Sequence, residues 1–86
     1  MQQATAPLLD ETSARRLIAE QLAVSPEEAH DNALFQVDLG ADSLDLIELT
    51  MLFENEYGIE IGDDESEPCL TVGAALQLLR EKTAAR

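Results

Sequence analysis

The segment Asp38-Leu39-Gly40-Ala41-Asp42-Ser43-Leu44-Asp45 places one serine where a glycine turn meets the start of an acidic, amphipathic helix. A hydroxyl there sits at the positive end of a helix dipole. Three kinds of chemistry are open to it. As an N-cap, Ser43 would only satisfy a backbone N–H. As a nucleophile it needs a base within hydrogen-bond reach. The only histidine is His30, in a polar turn with nothing arranged to orient it, so no catalytic residue is assigned. As an attachment point, Ser43 would carry a phosphate-linked group, which helix N-termini stabilise through free N–H groups and the dipole. Gly40 would let the backbone turn sharply and leave room for an approaching enzyme. Asp38, Asp42 and Asp45 would repel a phosphate lying flat on the surface and favour an arm that extends away from it. The missing helpers point away from self-contained catalysis and toward a chain that is modified at Ser43.

The acids from Asp38 to Glu48 do not follow the Asp-x-Asp-x-Asp-Gly order of a calcium-binding loop, so no metal site is assigned. Loose, screened association of divalent cations with such dense charge is the expectation instead. Cys69 is single, which rules out an internal disulfide or a cysteine-based zinc site. Its place in the apolar run Cys69-Leu70 predicts a small buried side chain. Surrounding acids should raise the thiol pKa rather than activate it.

Around this motif the chain must supply positioning elements. With 86 residues it is one small domain. A chain of this size buries only roughly 60–65% of the surface its unfolded form exposes, which leaves little room for a deep catalytic cleft. Residues 1–9 begin with a Gln/Ala-rich stretch that lacks periodicity and read as a flexible leader, and residues 10–86 as the folded domain. Asp10 or Thr12 can cap a first helix to about Ala23, with Ala14, Leu17, Ile18 and Leu22 on one apolar face. Ser25-Pro26-Glu27-Glu28 has the form of a capping box and should open a short turn. Leu34, Phe35, Val37 and Leu39 are expected to pin the following loop onto the bundle. A second helix runs from about Ser43 to Tyr57, with Gly58 suited to its C-cap. Ile59 and Ile61 would tuck a second loop inward. Asp63 to Glu67 suit one short turn of helix, ended by Pro68. Thr71 caps a last helix to about Lys82, with Val72, Ala75, Leu76 and Leu79 inward and Arg80 and Lys82 in its final turn. No strand alternation or repeat is present. The fold expected is all-α, three main helices plus one short helix.

The second helix carries more apolar surface than one face needs. At about 100° per residue, Leu46, Leu49, Phe53 and Tyr57 form one stripe, and Leu44, Ile47 and Met51 form another. Either all seven are core, or the second stripe is an exposed strip bordered by Asp45, Glu48, Glu54 and Asn55. Such a strip would serve as a docking surface.

Charge narrows the partners. The formal net charge is −13, and no Lys or Arg occurs between Arg16 and Arg80. Nucleic acid and anionic membranes need a basic footprint that is missing. Basic protein surfaces are favoured, and the field would speed their approach. No basic-then-apolar leader and no apolar run of membrane-spanning length is present, so a monomer in the cytoplasm is the expectation.

Taken with Ile47-Glu48-Leu49 and Met51, the serine segment closely resembles bacterial acyl carrier proteins of the dissociated fatty acid synthase type. The resemblance runs from about Thr12 to Lys82 and includes Ile59-Glu60-Ile61 and Thr71-Val72. It implies an acyl-carrier-like bundle without catalytic activity. It implies that Ser43 receives 4′-phosphopantetheine from coenzyme A through a separate phosphopantetheinyl transferase, and that Asp42 helps that enzyme recognise the site. Acyl groups would then ride on the arm as thioesters. Leu44, Asp45, Ile47, Glu48, Met51 and Glu54 match the face read by the basic docking patches of acyl-transferring and chain-modifying enzymes. The stripe of Leu46, Leu49, Phe53 and Tyr57 would face a core able to shelter the acyl chain. Thr50, Gly62, Pro68 and Cys69 depart from the family pattern. They leave fatty acid or related lipid synthesis beside a polyketide, peptidyl or aminoacyl route. A non-covalent acidic docking module of the same fold, with Ser43 only a cap, is the other class.

Overall fold

The computed structural model describes residues 9–85. Four helices follow one another: α1 (Glu11–Leu22), α2 (Ser43–Tyr57), α3 (Asp63–Ser66) and α4 (Val72–Ala85). The expected all-α bundle of three main helices and one short one is what forms. Of the expected leader, residues 1–8 lie outside the described residues, and Leu9 packs against the core.

α1, α2 and α4 each start where a side chain can satisfy free N–H groups, whereas the short α3 follows Gly62 and has no side-chain cap. Asp10, not Thr12, caps α1: its carboxylate accepts from Thr12 N and Ser13 N at 3.1 and 3.4 Å. The Ser13 hydroxyl donates to the same carboxylate and, as its largest contribution, holds the Asp10 pKa below the ordinary value. Thr71 caps α4 by accepting from Ala74 N at 3.1 Å. That helix continues to Ala85, past the expected end at Lys82, so only Lys82 falls in the last turn. Arg80 sits a turn earlier and reaches across to Glu11 of α1. Lys82 pairs with Glu65 of α3 at 2.6 Å and is the main reason the Glu65 carboxyl is held low. A depressed carboxyl stabilises the fold above its unfolded pKa, so this contribution fades as the pH falls through the folded value.

α1 packs on α2 and α4. Its Ile18 meets Val72, Leu76 and Leu79 of α4 in one cluster, all fully or nearly fully buried. Leu49 and Phe53 complete the cluster from α2, as the first stripe requires. The long connection between α1 and α2 adds Ala29, Ala33, Phe35, Leu39 and Ala41. It begins with the expected box: Ser25 N donates to Glu28 at 2.8 Å, and Glu28 N donates to the Ser25 hydroxyl at 3.3 Å.

Two expectations for this connection need correction. Phe35 and Leu39 point inward, but Leu34 and Val37 are exposed, Val37 by 79%. The reason lies in the backbone. Leu34 forms an isolated antiparallel bridge with Thr71, and Asp38 and Leu39 donate back to Leu34 O at 2.9 and 3.1 Å. That helix-like turn puts Phe35 and Leu39, four residues apart, on its inner side and Val37 on its outer side. Cys69 is also half-buried rather than fully so. Burial, then the Glu81 charge, pushes its thiol up in pKa.

Ala23 closes α1 in the left-handed conformation (φ 59°) without being glycine. A Cβ there costs about 1–2 kcal/mol, against which a glycine loses about 0.4–1 kcal/mol to unfolded-state entropy. Ala23→Gly should therefore raise stability by roughly 0.5–1 kcal/mol in urea denaturation; a lower midpoint would contradict the cap assignment. The excess negative charge gives a second test. Millimolar magnesium should raise the melting temperature at matched ionic strength, by relieving repulsion among acids that the three ion pairs among the described residues cannot offset. Superimposable melting curves would refute it.

Candidate functional site

Ser43 is the first residue of α2 and is not its cap. The cap is Asp42, joined to Asp45 in a reciprocal box: Asp45 N donates to Asp42 at 2.8 Å and Asp42 N donates to Asp45 at 3.0 Å. The reading in which Ser43 serves only as a cap is thereby overturned. An aspartate takes that role better, because its charge also complements the helix dipole. The serine side chain is exposed and free of structural duty. Among the described residues, the N–H groups of Ser43 and Leu44 make no hydrogen bond, so donors remain beside the hydroxyl.

The turn before Ser43 is built to keep that hydroxyl accessible. Gly40 has φ +71°, a conformation that favours glycine, and a Cβ there would meet nothing within 4 Å. Ala41 N donates to Phe35 O at 2.9 Å and brings the chain back to α2. The Asp38 carboxylate accepts from Leu34 N at 2.8 Å. All three aspartates of the motif therefore hold backbone N–H groups through one carboxylate oxygen each, while their charge still favours an arm that extends away from the surface.

The two stripes of α2 separate as the exposed-strip alternative requires. Leu49 and Phe53 are 3% and 4% exposed, with Leu46 and Tyr57 partly buried against the same core. Phe53 and Tyr57 meet with ring centroids 6.2 Å apart. Leu44, Ile47 and Met51 are 60%, 58% and 55% exposed. The possibility that all seven are core is excluded.

Between these stripes opens a groove of about 780 Å³, lined by residues of α2, α3, α4 and all three connections between the helices. Ser43 is on its edge, and Leu46, Leu49 and Phe53 are on its apolar wall together with Leu78 and Leu79. Two of the departures noted in the sequence, Thr50 and Cys69, also line it. The Thr50 hydroxyl donates to Leu46 O at 3.0 Å, which satisfies it inside the helix. His30, the one histidine, does not line the groove and so is not placed there to activate Ser43.

The acids of the proposed partner face do different things. Glu48 is exposed and only accepts from Gln21 Nε2 at 3.1 Å. Asp45 is half of the helix box. Glu54 is partly buried, and its carboxylate accepts from Ile61 N at 2.8 Å. That bond hangs the second loop, and with it the α3 wall of the groove, on α2. Sequence reasoning assigned Glu54 to the surface because helical spacing shows a face, not a hydrogen bond made seven residues away. It also missed Leu34, Val37 and Leu70 as groove-lining residues, since apolar residues in loops read most simply as anchors.

Comparison with known proteins agrees with this geometry. Residues 13–79 match the family model described as a phosphopantetheine attachment site. The chain is 54% identical over 70 residues to an acyl carrier protein of Bradyrhizobium sp. (strain ORS 278), covering 81% of this chain and 87% of that one. An acyl carrier protein of Rhodopseudomonas palustris (strain TIE-1) is 53% identical over the same shares. A solved structure of the acyl carrier protein from Enterococcus faecalis superposes with a TM-score of 0.72 at 28% identity, covering 84% of this chain and 91% of that one.

The contrast between Glu48 and Glu54 is testable without any partner. Glu54→Ala should cost about 1–3 kcal/mol and speed hydrogen exchange at the Ile61 amide, because it leaves a partly buried N–H unpaired. Glu48→Lys should stay within about 0.5 kcal/mol of the parent. Equal stabilities for the two variants would show that Glu54 pins nothing.

Proposed function

The chain belongs to the bacterial acyl carrier protein family, a non-catalytic carrier with a phosphopantetheine arm, and from that premise we propose that the arm is joined to Ser43. The observation that carries this reading is the release of Ser43 from capping: Asp42 and Asp45 close the helix between them and leave an exposed hydroxyl beside a glycine turn. The residues present fit the group. The N–H groups of Ser43 and Leu44 can donate to a phosphate on Ser43, aided by the α2 dipole. The groove that begins at Ser43 offers an apolar wall for a cargo chain.

When bound, the arm supplies a terminal thiol on which acyl groups are held as thioesters. The chain itself holds the attachment oxygen in place, keeps the neighbouring carboxylates occupied, and shelters cargo against Leu46, Leu49 and Phe53. Its one histidine does not line the groove, and the base for modification is proposed to come from a phosphopantetheinyl transferase. Asp42 is proposed to mark the site for that enzyme. Leu44, Asp45, Ile47, Glu48, Met51 and Glu54 are proposed as the partner face. Of these, the exposed Leu44, Ile47, Glu48 and Met51 have no internal bond that docking must break, apart from the solvent-exposed contact of Glu48 with Gln21. Weak, steered docking of basic patches there would let the carrier leave each enzyme quickly.

Residues 10–86 are proposed as the carrier domain, acting as a monomer in the cytoplasm in fatty acid or related lipid synthesis. The charge that keeps copies apart and the single thiol support this setting. No helix among the described residues is long and apolar enough to cross a membrane. A specialised acylation or polyketide route is the second reading, favoured by Thr50 and Cys69 in the groove wall, where a polar atom alters which cargo fits.

Incubation with coenzyme A and a phosphopantetheinyl transferase should add the mass of one 4′-phosphopantetheinyl group. Addition should vanish in Ser43→Ala and slow in Glu48→Lys. No addition to the parent, or addition that persists in Ser43→Ala, would sink the assignment. Intact mass of material from the native host would report arm and cargo together and separate the two routes.

A further inference from the structure

Among the described residues, six large apolar side chains are exposed, and five of them surround one opening. Ile47 and Met51 come from α2. Leu34 and Val37 come from the connection before it, and Leu70 from the loop before α4. Single exposed apolar residues need no explanation, but a cluster around a groove mouth does. The loop half of the cluster is also rigidly built. Phe35 N donates to Leu70 O at 3.0 Å, and Val72 N donates to Ala33 O at 3.0 Å, which stitches the two loops side by side. Asp38 closes the turn that keeps Leu34 and Val37 outward, through its carboxylate on Leu34 N and its own N–H on Leu34 O. A backbone held in this way loses little entropy on docking.

The rim has one sign of charge. The ionisable residues lining the groove, other than the Cys69 thiol, are Glu54, Asp63 and Glu67. Among the described residues, no Lys or Arg lines it. A second copy of this chain would bring another −13 and be repelled. An anionic bilayer would be repelled in the same way.

We propose that Leu34, Val37 and Leu70 form the second half of a two-sided docking site, with Ile47 and Met51 as the first half. Its occupant is an amphipathic helix of a partner protein, with an apolar row seated across the groove mouth and Lys or Arg on its flanks. The row makes the affinity, and the flanking bases meet the acidic rim. The site extends the partner face well beyond α2. It rests on the carrier reading only in that the same partner must also reach the arm at Ser43.

The test uses the full chain, with and without the arm, and a synthetic Leu/Lys amphipathic helix of about 18 residues, long enough to cross the mouth. Titration followed by amide chemical shifts should be saturable and should perturb Leu34, Val37 and Leu70 together with Ile47 and Met51. Val37→Ser with Leu70→Thr should weaken binding roughly tenfold, since each lost methylene is worth about 0.8 kcal/mol when fully buried. Both residues are exposed, so folding should be unaffected. Perturbation confined to α2, or unchanged affinity in the double variant, would overturn the proposal. So would sedimentation showing that the parent pairs with itself through this patch, or equal binding to neutral phosphatidylcholine vesicles. Intact mass after transferase treatment of the same samples reports separately on Ser43. Failure there would strike the carrier reading, while the titration of the unmodified chain would still decide the docking site.

Discussion

The connection from Ala23 to Asp42 has no regular helix of its own, yet it ends at the residue on which the site depends. Ordering a loop of that length is costly, because each residue fixed loses about 1–2 kcal/mol of backbone entropy. The stitch between Ala33–Phe35 and Leu70–Val72 makes that order possible. Gly73 extends it by donating to Asp31 O at 2.8 Å, an approach so close that a Cβ would come within 2.9 Å of that oxygen. Arg15 closes the other side, donating to Ala29 O at 2.6 Å and pairing with Asp31 at 2.7 Å. With the loop held at both margins, Phe35 and Leu39 reach the core, Gly40 turns, and α2 begins at a fixed place.

The same economy governs the acids. A chain with 18 acidic and 5 basic residues cannot neutralise itself by pairing. Instead, many carboxylates accept backbone N–H groups at element ends: Asp10, Glu28, Asp38, Asp42, Asp45, Glu54 and Glu65. Bonds to a charged acceptor are worth more than neutral ones, so the fold draws stability from groups that would otherwise only repel. Glu48 is left outward, bound only to Gln21, and belongs to the proposed partner face.

α2 is where fold and function compete for the same residues. A helix fully committed to the core would have buried both of its stripes. Here the bundle is too small to cover the second one, and the short α3 stands off enough to leave a groove between the stripes. A single helix thus supplies the apolar wall behind the site and an apolar strip in front of it. Glu54 ties these together, because its bond to Ile61 N sets how far the α3 wall stands from α2.

Much of this was legible in the amino-acid order. Helical spacing and cap residues located α1, α2 and α4, and the motif around Ser43 singled out the proposed attachment residue. Local rules suffice there, since a cap bond or a helical face involves residues three or four apart. The long-range outcomes were not legible. That Asp42 rather than Ser43 caps α2 depends on a choice between adjacent residues with similar cap preference, settled when Phe35 and Ala41 fix the approach of the chain. That Leu34 and Val37 face outward depends on a bridge to Thr71, far along the sequence. That Glu54 holds a loop, and that five apolar residues from three segments ring one opening, are likewise products of packing. The sequence by itself determined which residues can cap, pack or carry a group, because those are properties of side chains and their spacing. Only the tertiary structure decided which of them are spent on holding the fold and which remain free at the surface, because that depends on partners brought together from distant positions.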